Sequence, residues 1–544
     1  MNKLLTLLLT GMIILFTTIP GMSQERYLDE IFTDVQVTHN VMYSFNFSIE
    51  PALFVPTISD TIQIPQLMDV YEPMGDTATN RPVIIFGITG TFLPRIVNQG
   101  FTGTRGDSTN VAFATAMAKK GYVVAVVEYR KGWVFLGPAL TQQKTILDAS
   151  YRGIQDMRAA VRYFRATEQD SMNMWGVDPG RIAVGGTGTG AYMSYGATYL
   201  DRYEQTLLEK FIDFTDPLNP VPFLDTLIYG NPEGTDSAYI NAPQHPGFSS
   251  KFNMGFAFGG ALGDPSWVED DDPPFVAVHS YRDPFQPYAV GNVFAADPTT
   301  MPPTPFAVIP TASGPYSTLD SATRLGNQDI FKDVEWGDPV SERAAMINDG
   351  RIGLYPFITP YTPGDAMCEG VGVAGDTLQE WGTCWSWFDE ATGQANWDTT
   401  YKDLIAAGAQ IPGSVAVCVN KRGFPNDAAV AKMYLDTAIM FLTPRLAIAL
   451  ELGTSVGVDK FLDAQNFEVF PNPSSDVMHI EYKGVDGKPI DHIQLMDISG
   501  RVVRSFSDVN SSSFEIQKDN LTEGLYILQI RVGEKMANKK IMFN

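Results

Sequence analysis

Short runs of valine, isoleucine and alanine recur along the chain up to about residue 455, with amphipathic stretches between them. "RPVIIFG", "GYVVAVVEYR", "RIAVGG", "GFAFGGA", "PFVAVHS" and "SVAVCVN" are almost continuously apolar, the pattern of strands buried on both faces. "QLMDVYEP" predicts one more strand ahead of them. In "ASYRGIQDMRAAVRYFRA", Ile154, Met157, Val161 and Phe164 fall on one helical face, with Arg and Asp opposite. "NVAFATAMAKKG" ends on a glycine, as helix C-termini often do. "AAVAKMYLDTAIMFLTPRLAIAL" predicts a long apolar helix interrupted at Pro444. Alternating strands and helices predict an α/β fold: a mainly parallel sheet with helices on both faces.

Two stretches depart from this alternation. Between His279 and Val415 the chain is rich in Pro, Gly, Trp and Phe, far longer than an ordinary connection, and predicts a large insertion over about 290–410. Its runs "GLYPFITPYTP" and "EWGTCWSWFDE" are aromatic enough either to pack the insertion on the body or to contact a ligand. From Phe467 onward short alternating segments follow one another with turn signals between them and no helix. They predict a small all-β sandwich. The expected organisation is a body over 24–455, a linker over 456–466 and a C-terminal module over 467–544.

The N-terminus has one Lys ahead of an apolar run from Leu4 to about Phe16, then Gly21 and Ser23 at −3 and −1 to a cut before Gln24. That is the pattern of a signal peptide over 1–23, and the run is short of the roughly 20 residues a membrane span needs. The chain has 544 residues, 44% of them hydrophobic and 12% aromatic, enough for a substantial core. A formal net charge of −24 favours solubility and argues against nucleic acid or an anionic membrane as partner. Three cysteines, Cys368, Cys384 and Cys418, occur without a C-x-x-C. In an exported chain Cys368 and Cys384 are candidates for a staple within the insertion. "WVEDDDPP" clusters Glu269, Asp270, Asp271 and Asp272 with no His nearby, which reads as a solvated loop rather than a Ca²⁺ site. No metal or cofactor is expected.

The C-terminal module resembles the sorting domain of Bacteroidota proteins exported by the type IX secretion system. The matching residues are Phe470-Pro471-Asn472-Pro473 with Asp476, and Asp497-Ile498-Ser499-Gly500-Arg501. Leu521 through Gly524-Leu525-Tyr526 and the terminal Lys539-Lys540-Ile541 complete the match. The resemblance implies export across both membranes, the type IX machinery as partner, and a final place at the cell surface or outside the cell. An adhesive or stabilising sandwich is the plain alternative.

The body resembles an α/β hydrolase of the carboxylesterase/lipase type through "MDVYEPMGDTATNRPVIIF", "GYVVAVVEYR", "YRGIQDMRAAVRYFRA", "WGVDPGRIAVGG" and "HSYRDPFQPY", in the family's order. The resemblance implies a G-x-S-x-G turn with a Ser nucleophile, then an acid, then a His. The turn is present as Gly186-Thr187-Gly188-Thr189-Gly190, and its centre, Gly188, has no side chain. Thr187 and Thr189 are weak surrogate candidates, because their side chains should point away from the cleft. Asp283 matches the family's acid. Between His279 and His479 there is no histidine, and the loop "KRGFPND" offers Arg422, Phe424, Asn426 and Asp427 where the base should stand. His279 precedes Asp283 at a strand end and His245 sits in a loop, so both read as structural. The family's H-G-G-G stretch corresponds to Gly87-Ile88-Thr89-Gly90, leaving Thr89, Gly90 and Thr189 as donors for a half-formed anion cradle.

Two readings follow. The first is a secreted protein without catalysis that acts as a binding or structural surface protein, with a small molecule, a glycan or another protein as ligand. The second is an active secreted carboxylesterase-like hydrolase with a non-standard site.

Overall fold

The structure is a computed structural model and describes residues 25–49, 61–94, 102–135, 137–281, 283, 285–297, 304–358, 384–387, 428–453, 466–484, 488–497, 502–533 and 535–544. Among the described residues the sheet has eight strands, most of them the predicted apolar runs: β1 (Val35–Ser48), β2 (Ile62–Pro73), β3 (Arg81–Gly87), β4 (Val123–Val127), β5 (Val177–Gly186), β6 (Met254–Phe258), β7 (Phe275–Ser280) and β8 (Leu354–Phe357). Their order across the sheet is β1-β2-β4-β3-β5-β6-β7-β8. From β4 to β8 every pairing is parallel, and β2 runs antiparallel to both β1 and β4. Every residue of β3, β4, β6 and β7 is buried, which is why these segments lack polar alternation.

Helices cover both faces. On one, α1 (Ser108–Lys119) packs beside α6 (Ala428–Ala449); on the other, α2 (Ala139–Asp170) packs beside α3 (Thr189–Tyr199). α4 (Pro315–Leu325) and α5 (Pro339–Ile347) precede β8. This is the mainly parallel sheet with helices on both faces that the pattern predicts, and the α/β-hydrolase-like arrangement that the resemblance implies. Among the described residues no helix is long and apolar enough to cross a membrane.

Two expectations need correction, the extent of the insertion and the break in the long helix. Among the described residues the last strand of the sheet is the four-residue Leu354–Phe357; the expected strand "SVAVCVN" lies outside them. The first half of the expected insertion therefore belongs to the body, supplying a hairpin (Val290–Asp297 with Thr304–Ser313), α4, α5 and β8. The long helix is not interrupted at Pro444. The ring frees the carbonyl one turn back, at Met440, a residue whose side chain is exposed, so the helix continues on its buried face. Cys384 is buried, and its expected partner in a staple, Cys368, lies outside the described residues.

A buried polar layer fixes the loops above the strand ends. Arg130, just after β4, is fully buried against Asp156 of α2: its Nε is 2.8 Å from Oδ1 and its backbone N–H 2.7 Å from Oδ2. Breaking such a pair from one side costs about 3–5 kcal/mol, so the loop is held firmly. Through Gly132 N–H to the Phe92 carbonyl (2.7 Å) and Trp133 Nε1 to the Thr91 carbonyl (2.8 Å), it grips the turn that follows β3.

The C-terminal module has its own core. β9 (Phe467–Phe470), β10 (Val477–Tyr482) and β13 (Ser513–Gln517) form a three-stranded antiparallel sheet. β11 (Ile490–Asp497), β12 (Val502–Ser511), β14 (Gly524–Val532) and β15 (Lys535–Phe543) form a four-stranded one. Phe467, Met478, Ile480 and Ile516 of the first meet Ile493, Leu495, Leu528, Ile530 and Ile541 of the second, making a sandwich.

Candidate functional site

The turn between β5 and α3 has the backbone of a nucleophile elbow. Gly188 is the N-cap of α3, with φ 54° and ψ −111°. Thr187 N–H donates to the Gly87 carbonyl (3.1 Å), Gly188 N–H to the Phe258 carbonyl (3.0 Å) and Gly190 N–H to the Thr187 carbonyl (2.9 Å). The flanking glycines are required by close approach. A Cβ at Gly190 would overlap the Gly87 carbonyl oxygen, and one at Gly186 would stand 2.5 Å from the Gly190 carbonyl carbon. Ser194, one turn on, clips α3 to the sheet by donating to the Val184 (3.0 Å) and Phe256 (2.8 Å) carbonyls.

The space above the apex is taken. A Cβ at Gly188 would overlap Thr89 Oγ1 and lie 3.1 Å from Thr89 Cβ. The two flanking threonines are both buried and committed. Thr187 Oγ1 accepts from Trp385 Nε1 (3.1 Å), and Thr189 Oγ1 accepts from Thr91 N–H (2.7 Å). Trp385 is fully buried between Phe258 and Phe357, with ring centroids 6.0 and 6.2 Å away, and its carbonyl accepts from Thr109 Oγ1 (3.3 Å). Beside it, Cys384 Sγ accepts from Ser280 Oγ at 3.8 Å. This described part of the insertion is packing for the body.

Of the expected cradle residues, Thr89 lies against the Gly188 apex, Gly90 follows it in the turn after β3, and Thr189 follows Gly188 at the start of α3. The turn after β3 is tight: Gly90, Thr91 and Phe92 have φ of 139°, 55° and 54°, and Leu93 N–H returns to the Gly90 carbonyl at 3.0 Å. One N–H of this turn, that of Thr91, already serves the Thr189 hydroxyl and is not open to an oxyanion.

Asp283 stands in the turn after β7, where an acid belongs. Its Oδ1 accepts from the N–H groups of Phe285 (2.7 Å) and Gln286 (3.0 Å). Its Oδ2 is buried with no partner among the described residues. Burial pushes this carboxyl up to about 7, against the pull of the two N–H groups.

The histidines are used elsewhere. His279 is fully buried, its Nε2 donates to the Gln286 carbonyl (3.2 Å), and burial lowers it to about 4, so it is neutral. His245 Nε2 lies 3.1 Å from the Tyr43 carbonyl on the edge strand, and His39 Nδ1 lies 3.0 Å from Asp69 Oδ2. A base from beyond the last strand would come from residues 358–427, and these contain no histidine. Arg422, Phe424, Asn426 and Asp427 lie outside the described residues. In the acidic loop, Glu269 pairs with Arg202 and Asp272 Oδ2 accepts from Glu269 N–H (2.7 Å). Among the described residues no group of His, Cys, Asp and Glu converges as a metal site would.

Sequence reasoning missed Thr89 as the filler of the apex and Trp385 as the partner of Thr187. Both contacts join residues about a hundred positions or more apart, and no local pattern announces them.

At the other end of the chain, Asn472 bridges to the last strand. Its Nδ2 donates to the Lys540 carbonyl (2.9 Å) and its Oδ1 accepts from Met542 N–H (2.9 Å). Lys539 Nζ donates to the Phe467 carbonyl. Pro471 and Pro473 flank Asn472, Gly524 opens β14 with φ 149°, and Gly500 lies outside the described residues. The family model described as a secretion system C-terminal sorting domain matches residues 468–544. The chain ends in a secretion-system sorting domain. The sorting domain marks the protein for export to the cell surface or the extracellular space and implies the secretion machinery as a partner.

No curated protein matches the sequence. Solved structures of esterase 2 from Thermogutta terrifontis are similar at low identity. The paraoxon-phosphorylated form is 13% identical, with 70% of this chain and 97% of that chain covered and a TM-score of 0.31. The native form is 14% identical, covering 72% and 99%, with a TM-score of 0.31. The propionate-bound form is 14% identical, covering 64% and 92%, with a TM-score of 0.30. The fold assignment rests on the strand order and helix placement above.

Proposed function

We propose that this secreted, α/β-hydrolase-like protein is catalytically inactive and works at the cell surface or outside the cell by binding. The observation that carries the reading is the occupied apex: the nucleophile position is Gly188, and Thr89 Oγ1 fills the space its side chain would need. The hydroxyls of Thr187 and Thr189 are engaged, and no imidazole follows Asp283 within the body. Removing nucleophile or base from a triad enzyme costs roughly a million-fold in turnover. What binding and an oxyanion hole leave is roughly a thousand- to ten-thousand-fold over water. The ligand is a small molecule, a glycan or a protein; nucleic acid is disfavoured by the charge of −24.

One observation favours the second reading, a hydrolase with a non-standard site. Asp283 has an open Oδ2 and titrates near neutrality, as a general acid or base would. The test is turnover of a short-chain nitrophenyl ester by the purified mature protein, with a fluorophosphonate probe alongside. We expect no saturable turnover and no label. Saturable turnover abolished by Asp283→Asn, or label on Thr89, Thr187 or Thr189, overturns the inactive reading.

A further inference from the structure

The loop after β4 buries a lysine that neither the fold nor the elbow uses. Lys131 is only 7% exposed. Among the described residues its ammonium has no hydrogen bond and no carboxylate at ion-pair distance. The contact it does make is with the Tyr129 ring, whose centroid lies 5.9 Å from Nζ. Arg130 beside it shows the ordinary solution: it is buried too, and Asp156 meets it at 2.8 Å. Buried lysines are almost always paired, because an isolated ammonium taken out of water is costly. A ring face at the outer limit of a cation–π contact does not replace a counter-ion.

Contacts tie this ammonium to the elbow. Tyr129 Oη donates to the Thr89 carbonyl (3.4 Å), and its ring meets Phe92 edge-on with centroids 5.5 Å apart. Thr89 is the residue whose Oγ1 fills the Gly188 apex. Gly132, next in the chain, donates its N–H to the Phe92 carbonyl (2.7 Å), and Trp133 Nε1 donates to the Thr91 carbonyl (2.8 Å). Lys131 therefore stands on the loop that walls the apex turn, and Tyr129 links it to Thr89.

A second buried cation lies beside the same loop. Arg152 of α2 donates from Nη2 to the Gly132 carbonyl (2.6 Å), and its Nε and Nη1 have no partner among the described residues. Asp148, one turn back on α2, leaves its own Oδ1 bare rather than meeting them. Unmatched positive charge thus gathers around Gly132 in a chain whose formal net charge is −24. The loops around it bring buried apolar side chains, Phe92, Leu93, Trp133 and Val134. One ammonium among such side chains suits a singly charged head on an apolar body. A phosphate, with more charge and more oxygens, would call for more donors than one lysine supplies.

We propose that the cleft beside the elbow takes an apolar monocarboxylate, with Lys131 Nζ as the counter-ion of its carboxylate. The inference rests on the reading of this protein as a binder and names the class of its ligand. The ligand brings the charge that the loop lacks. A neutral ester or amide of the same body leaves the ammonium unpaired and binds less well. The acidic surface slows the approach of an anion without cancelling this pairing, because at physiological salt exposed charges beyond about 8 Å are largely screened.

The test is calorimetric titration of the purified mature protein at pH 7 with octanoate and phenylacetate, each beside its amide. We expect each carboxylate to bind about tenfold or more tighter than its amide. Lys131→Met should erase that preference and leave amide binding within about twofold, and Lys131→Arg should keep the preference. Without ligand, Lys131→Met should melt no lower than the wild type, since it removes a charge that has no partner. Acid and amide bound equally by the wild type, or a preference that survives in Lys131→Met, overturns the proposal and leaves binding at the cleft standing. Carboxylates that do not bind, or a lower melting temperature for Lys131→Met, which would reveal a counter-ion within the protein, overturn it as well. Turnover of the nitrophenyl ester would instead end the binder reading, and octanoate against octanamide as inhibitors of that turnover would then judge the Lys131 site by the same ratio.

Discussion

The turn that leaves β5 keeps an elbow backbone and has no side chain at its apex; the turn that leaves β7 keeps its carboxylate, one of whose oxygens has no partner among the described residues. The two differ in what holds them. The first is dictated by packing: Gly186 and Gly190 lie against Gly87, and no chemistry at Gly188 is needed to keep that geometry. The second is dictated by hydrogen bonds: Asp283 Oδ1 closes the turn by accepting from Phe285 and Gln286, whatever Oδ2 does. Elbow and acid therefore persist for structural reasons that are independent of each other and of catalysis. Their presence argues for the fold, and function has to be argued from the atoms between them.

The hardest break is at the packing. Gly190→Ala should destabilise the protein by about 3 kcal/mol or more, because the new Cβ meets the Gly87 backbone, which has no rotamer to give. Urea unfolding measures it. A loss under about 1 kcal/mol would mean that the close approach does not set the elbow.

Gly188→Ser separates geometry from chemistry. The serine would sit at positive φ and overlap Thr89 Oγ1, so a loss of about 1–3 kcal/mol is expected. Adding Thr89→Gly opens the space and should return part of that loss, since the two sites touch and their effects will not add. Neither variant should hydrolyse a nitrophenyl ester, because no histidine lies between positions 279 and 479. A large gain of turnover from Gly188→Ser alone would show that a base is already in place, and the contrast between the two turns would collapse.

Much of this was legible in the chain. The elbow, the acid turn and the missing imidazole follow from local patterns: a strand running into Gly-x-Gly-x-Gly, an Asp-Pro after an apolar run, and a simple scan for His. The last strand was not, because Leu354–Phe357 is only four residues long within an aromatic stretch that reads equally well as insertion. Thr89 was legible as a cradle residue but not as the filler of the apex. That role depends on how β3 and β5 lie side by side, with Gly87 opposite Gly186. Trp385 against Thr187 is the same kind of fact, a contact between residues almost two hundred positions apart.

The mildest and most informative change is Asp283→Asn. An Asp pushed up to about 7 in the fold, against about 3.9 unfolded, keeps its proton in the native state where the unfolded chain has released it. Native protein then binds more protons between about pH 4 and about pH 7, so stability falls as pH rises through that window and levels off above it. An amide keeps the Oδ1 acceptor and removes the charge. Asp283→Asn should therefore gain about 1 kcal/mol at pH 8 and nothing at pH 4, measured by urea unfolding at each pH. Asp148 and Asp272, also raised to about 7 by burial, stay in the variant, so the pH dependence flattens without vanishing. If the variant instead loses stability at pH 8, Asp283 has a cationic partner outside the described residues, and the carboxylate is no longer the half of the site that stands alone.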